Sequence, residues 1–129
     1  MMLVDSSVWI DYFTGVKSKK TDTLDASLGE QTIAIGDLTL TEVLQGFRVD
    51  REFELTMSPL DELILFDMLG KEMAHRSAEN YRILRKKGVA IRKATVVVIA
   101  SFCIEHELPF LFSDKDFRPF VRHLGLREA

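Results

Sequence analysis

The sequence is poor in residues that cross-link, bind soft metals or cross membranes. Its one cysteine, Cys103, excludes an intramolecular disulfide and fits a reducing cytosol. Cys103 lies inside the apolar run Val96–Ile104, where it reads as a small core residue rather than a nucleophile. The three histidines, His75, His106 and His123, are scattered, each on an otherwise ordinary helix, and they form no ligand set for zinc. No apolar run approaches the length of a membrane span. The start, Met1-Met2-Leu3-Val4, reaches an acid at once instead of forming a signal pattern, and a cytoplasmic protein is the expectation. There is no basic excess either. The formal net charge is −3, so any nucleic-acid contact has to come from a local patch. Repeats, linkers and low-complexity segments are also absent.

What is present is core. Hydrophobic residues make up 47% of 129 positions and include nine Phe, enough to bury one ordinary domain, 1–129, without staples. Leu3-Val4 reads as a short buried strand that stops on Asp5, after which Ser6 or Ser7 can cap a helix running to about Phe13 and ending at Gly15. A second helix is expected over Lys20–Leu28, then a strand over Thr32–Gly36 and a helix from Leu38 to Phe47. Asp50–Met57 looks helical, with Ser58-Pro59 interrupting it. Leu60–Gly88 reads as mostly helix with a break near Gly70. Thr95–Glu107 reads as an apolar helix capped by Thr95, although its β-branched start would also suit a strand. Phe110–Phe112 is a buried strand, Ser113–Phe117 opens another helix, and Leu124-Gly125-Leu126 fits a last edge strand. Short apolar runs alternating with helices predict an α/β fold, a central parallel sheet covered by helices on both faces.

Three acids recur in one local setting. Asp5 ends a strand, Glu42 lies in the helix after another strand, and Asp114 follows a third. In a parallel sheet these places face one edge, where open α/β folds build ligand sites. Clustered carboxylates repel unless a cation lies between them, and hard oxygen donors suit Mg²⁺ or Mn²⁺. Such a centre can polarise a phosphate and generate hydroxide, so phosphodiester hydrolysis is the natural chemistry. Each acid also has a purely structural reading. Thr39 with Glu42 fits a capping box, Asp5 and Asp114 fit helix caps, and Asp116 fits a first-turn acid. A basic run, Arg82, Arg85, Lys86, Lys87, Arg92 and Lys93, contains no acid. It suits a solvated helix end but is denser than the macrodipole needs, so phosphate contact is the competing reading.

Four stretches together carry a resemblance: Leu3-Val4-Asp5-Ser6-Ser7-Val8-Trp9-Ile10-Asp11, Leu40-Thr41-Glu42-Val43-Leu44-Gln45-Gly46, Gly88-Val89-Ala90-Ile91-Arg92-Lys93 and Phe112-Ser113-Asp114-Lys115-Asp116-Phe117. In order and spacing, over nearly the whole chain, they resemble the PIN-domain ribonucleases. More narrowly, they resemble the VapC-type toxins of toxin–antitoxin pairs. The resemblance implies a three-layer α/β/α sandwich, Mg²⁺- or Mn²⁺-dependent endoribonuclease activity on RNA, a homodimer and a cognate antitoxin. By position it makes Asp5, Glu42 and Asp114 metal-binding acids and Asp116 an assisting neighbour. Ser6 or Ser7 and Ser113 become hydroxyls that orient the carboxylates. Arg85, Lys86, Lys87, Arg92 and Lys93 become contacts for the RNA backbone.

One departure stands out. Relatives of this kind carry an Asp near the start of the helix after the Ile-Arg-Lys stretch, and the matching residue here is Val96. An isopropyl group cannot ligate a metal, and Glu105, nine residues on, projects from roughly the opposite helix face. An impaired nuclease is therefore expected, and a catalytically inactive module that binds an antitoxin is the alternative. A phosphotransfer domain fits less well. A haloacid-dehalogenase site needs a second acid where Ser7 stands, and a receiver needs a paired acid and a late Lys that are not evident.

Overall fold

The computed structural model describes residues 1–129. The elements are β1 (Met2–Val4), α1 (Ser6–Thr14), α2 (Lys19–Leu28), β2 (Ile33–Gly36), α3 (Asp37–Gln45), α4 (Asp50–Asp61), β3 (Ile64–Phe66), α5 (Lys71–Lys86), α6 (Ala94–Glu105), β4 (Phe110–Leu111) and α7 (Arg118–Leu124), with a 3₁₀ turn at Lys115–Phe117 before α7. The strands run in the order β3-β2-β1-β4 and every pairing is parallel.

Alternation along the strands divides the core into two. Leu3, Ala34 and Phe110 face one side, where they meet Met73 and Leu84 of α5, Ile99 and Phe102 of α6 and Phe120 of α7. Met2, Val4, Ile33, Ile35 and Leu111 face the other, against Val8 and Trp9 of α1, Leu24 of α2, Val43 of α3 and Leu60 of α4. Period-two strands that are apolar on both faces require helices on both faces. The result is the expected α/β/α sandwich with a parallel sheet.

Several local expectations are corrected. Ile64-Leu65-Phe66 is a strand, not part of a long helix. Its residues are largely exposed, so it lacks the burial signature of the other strands. Ser58-Pro59 does not interrupt α4, which continues to Asp61. Pro59 removes one hydrogen bond near the helix end, while Leu60 beyond it is buried and anchors the last turn. Thr95 is inside α6 and Lys93 is its N-cap. The β-branched run Val96–Ile99 is helical because it is buried against the sheet and α5, which overrides propensity. Neither Ser6 nor Ser7 caps α1, whose N-cap is Asp5 itself. Leu124-Gly125-Leu126 forms no strand. Gly125 is the left-handed C-cap of α7, and only a single bridge joins Glu128 to Phe110.

Candidate metal centre

The sheet order reverses at β1: β2 and β3 lie on one side of it and β4 on the other. Crevices at such reversals, beyond the C-terminal ends of the strands, are where parallel sheets bind ligands. Asp5 follows β1 and Asp114 follows β4, so both stand at this crevice, and α3 brings Glu42 from the end of β2. A cleft of about 210 Å³ is lined by Asp5, Ser7, Glu42, Lys93, Val96 and Asp114, with Ile10, Ile99 and Phe117 as apolar walls.

Asp5 is 3% exposed. Its backbone is tied at both ends: its N–H donates to the Leu111 carbonyl at 2.8 Å, and its carbonyl accepts from Val8 and Trp9. One side-chain oxygen accepts from the Ser7 hydroxyl at 2.9 Å. Burial holds the Asp5 carboxyl above its usual range, the Ser7 hydroxyl opposes that shift, and Asp114 adds to it.

Glu42 is half-buried. The capping box with Thr39 does not form, because the N-cap of α3 is Gly36. Instead its Oε1 is buried without a hydrogen-bond partner. Burial raises its pKa first and Asp5 second, while the Lys93 ammonium pulls it back down. An orphaned, buried carboxylate oxygen among other acids is a site short of positive charge.

Asp114 combines a structural and a site position. Its Oδ1 accepts from the Asp116 N–H at 2.9 Å as the cap of the 3₁₀ turn, and it also lines the cleft. Asp116 and Ser113 are exposed and do not line it. Val96, 4% exposed, forms an apolar wall of the cleft.

As oxygen donors, Asp5, Glu42 and Asp114 suit a hard divalent cation in type and charge. As placed, these three acids do not themselves form a group of donors around one point, and no other His, Cys, Asp or Glu joins them to make one. Val96, which has no donor atom, lines the same cleft.

The basic residues divide between sites. Lys93 lines the acid cleft. Arg92 and Arg82 edge an apolar groove between α5 and α6. Arg85 and Lys86 share an exposed surface with Arg82 at the end of α5, and Lys87 is the C-cap of that helix. Sequence reasoning placed Lys93 among backbone contacts and missed that it faces the carboxylates. It also missed Ile10, Ile99 and Phe117, since an apolar residue lining a cleft has the same local signature as a core residue.

No protein-family model matches the chain. Relatives do. A VapC ribonuclease of Mycobacterium bovis is 28% identical over 134 residues, spanning 100% of this chain and 98% of its own. Ribonuclease VapC11 of Mycobacterium tuberculosis matches equally well. The chain is a relative of the VapC proteins and carries their PIN-domain fold. Solved structures agree on the fold. VapBC2 of Rickettsia felis, bound to a promoter DNA fragment, superposes with a TM-score of 0.78 at 17% identity, over 99% of this chain and 96% of that one. A toxin–antitoxin complex of Klebsiella pneumoniae gives 0.74 at 19% identity over the full length of both chains.

Proposed function

We propose that this chain is an endoribonuclease of the VapC kind, one catalytic domain over 1–129 acting in the cytoplasm as the toxin of a toxin–antitoxin pair. In this reading it works as a homodimer held in check by a cognate antitoxin. The observation that carries the proposal is the meeting of Asp5, Glu42 and Asp114, distant in sequence, in one cleft at the reversal of sheet order. The similarity to VapC ribonucleases along the whole chain supports it.

Asp5, Glu42 and Asp114 would hold Mg²⁺ or Mn²⁺. When bound, such a cation supplies positive charge to the phosphodiester and to the attacking water. The chain's own residues do the rest. Backbone bonds on both sides and the Ser7 hydroxyl fix Asp5 in one orientation. Lys93 lines the cleft with its charge acting on Glu42, and the same ammonium would offset the charge of a phosphate entering there. Ile10, Ile99 and Phe117 exclude bulk water, which strengthens every charge interaction inside. Asp116 acts indirectly, through the turn that its N–H helps Asp114 to cap.

Val96 makes this chain a weak member of the class. Val96→Asp is expected to raise RNA cleavage with Mg²⁺ or Mn²⁺ and to tighten Mn²⁺ uptake in titration calorimetry. Equal cleavage by both forms would sink the ligand assignment. The apolar wall at Val96 also favours a second reading, a PIN-fold module that binds an antitoxin without cutting RNA. That module would take up no Mg²⁺ or Mn²⁺ near neutral pH, even with RNA present.

A further inference from the structure

Residues 127–129 follow α7 and lie along the outer side of β4. The Phe110 N–H donates to the Arg127 carbonyl at 2.9 Å, and the Ala129 N–H donates to the Phe110 carbonyl at 3.0 Å. The bridge is parallel, so this segment runs toward the same sheet edge as β4, the edge that carries Asp5 and Asp114. It delivers Glu128 to two cations. The Arg118 guanidinium donates to both carboxylate oxygens, at 2.7 and 2.9 Å. The Lys20 ammonium donates to one of them at 3.1 Å.

The two cations come from opposite faces of the sheet. Lys20 belongs to α2, whose Leu24 packs on the Val4 side. Arg118 begins α7, whose Phe120 packs on the Leu3 side. Both reach over the Phe112 ring, Arg118 at 4.8 Å and Lys20 at 5.5 Å from its centroid. Phe112 is fully buried, so the ring is a fixed shelf. A guanidinium laid on an aromatic face keeps its orientation when its anionic partner leaves. Phe112 also packs on Phe117, 5.5 Å between centroids, and Phe117 walls the acid cleft. The cation pair therefore stands beside that cleft.

A planar fork and a point charge that converge on one pair of oxygens suit a carboxylate and a phosphate alike. Glu128 is not locked in. The side chains of both pairs are 30–45% exposed, and ion pairs this open to water hold weakly, so a polyanion can take the place of the carboxylate. The cations pull the Glu128 carboxyl down to about 2. It stays ionised near neutral pH, and competing anions rather than protons govern the exchange.

We propose that Lys20 and Arg118 form a phosphate-binding cradle beside the acid cleft, that Glu128 fills it in the free protein, and that the backbone of a single-stranded RNA displaces Glu128 to bind there. Glu128 is then a built-in competitor that lowers affinity for RNA. The inference deepens the ribonuclease reading and rests on it for the identity of the anion. None of the three residues belongs to the basic run from Arg82 to Lys93, and only the fold brings them together.

The test is metal-free binding of a short fluorescein-labelled single-stranded RNA to the full chain, followed by anisotropy over a salt series. Glu128→Ala removes the competing carboxylate and leaves the backbone bonds of residues 127–129 in place. It should tighten binding about two- to fivefold, the strength of exposed ion pairs. Glu62→Gln makes an equal change of net charge at an exposed residue and should leave binding as it is. Lys20→Gln with Arg118→Gln should weaken binding and flatten the slope of log affinity against log salt by about 1.4, the loss of two single-strand phosphate contacts. Adding Glu128→Ala to that pair should gain nothing. The cradle is refuted if Glu128→Ala binds no tighter than the parent, if Glu62→Gln gains as much, or if the gain survives the loss of both cations. The first two variants decide the matter even where replacing both cations unfolds the chain. A parent that binds RNA with no gain in Glu128→Ala sinks the cradle alone, whereas failure of every form to bind RNA sinks the ribonuclease reading with it.

Discussion

At the scale of single residues, Asp5 and Glu42 bear a cost that the fold imposes. Burial raises both pKa values above the ordinary 3.8 and 4.5. The folded chain therefore keeps protons that the unfolded chain has already released. Stability must fall as pH climbs through the window that opens at those ordinary values and closes at the raised ones. Metal-free Asp5→Asn/Glu42→Gln should show a flatter fall over that window and a higher melting temperature at neutral pH. A thermal melt series from acid to neutral pH checks it, and an unchanged slope would refute the assignment. Val96 belongs to the same account. Val96→Asp places another carboxylate in a wall that is 4% exposed, and should cost roughly 1–3 kcal/mol of metal-free stability. A variant that melts no lower than the parent would show that a further carboxylate in that wall carries no such cost.

At the scale of elements, the connection from β3 to α5 depends on α3. Asp37 Oδ1 accepts from the Leu38 N–H at 2.8 Å and from the Met68 N–H at 3.1 Å. Met68 is fully buried, so losing the carboxylate leaves its N–H without a partner. Asp37→Ala should cost about 1–3 kcal/mol in chemical denaturation, and a change within ±0.5 kcal/mol would show that another group satisfies Met68. The same region accounts for what sequence periodicity missed. Ile64-Leu65-Phe66 lies at a sheet edge, half in solvent, and it follows a helix that runs through a proline. Neither feature has a strong local signature. By contrast β1, β2 and β4 are almost entirely buried, and buried apolar runs bounded by a glycine or an acid were legible.

At the scale of the whole molecule, charge is arranged by surface even though the total is only −3. The basic end of α5 divides into two uses. Arg82 edges the α5–α6 groove, and Arg85, Lys86 and Lys87 are exposed. Replacing Arg85, Lys86 and Lys87 together by Ala should weaken RNA binding and reduce the slope of log affinity against log salt by roughly 2, one fewer counterion released per lost phosphate contact. An unchanged salt slope would show that these three cations do not meet the backbone.

The sequence by itself determined the layered α/β architecture, because alternating buried strands and amphipathic helices admit few other packings. It also determined which acids are available and that position 96 carries none. Only the tertiary structure decided where each acid lies. A helix cap and a site acid share the same local sequence, and they differ only in what lies across the cleft. Asp5, Glu42 and Lys93 meet there through parallel strand pairing, a non-local interaction. Asp116 and Ser113, adjacent to Asp114 in sequence, do not reach it.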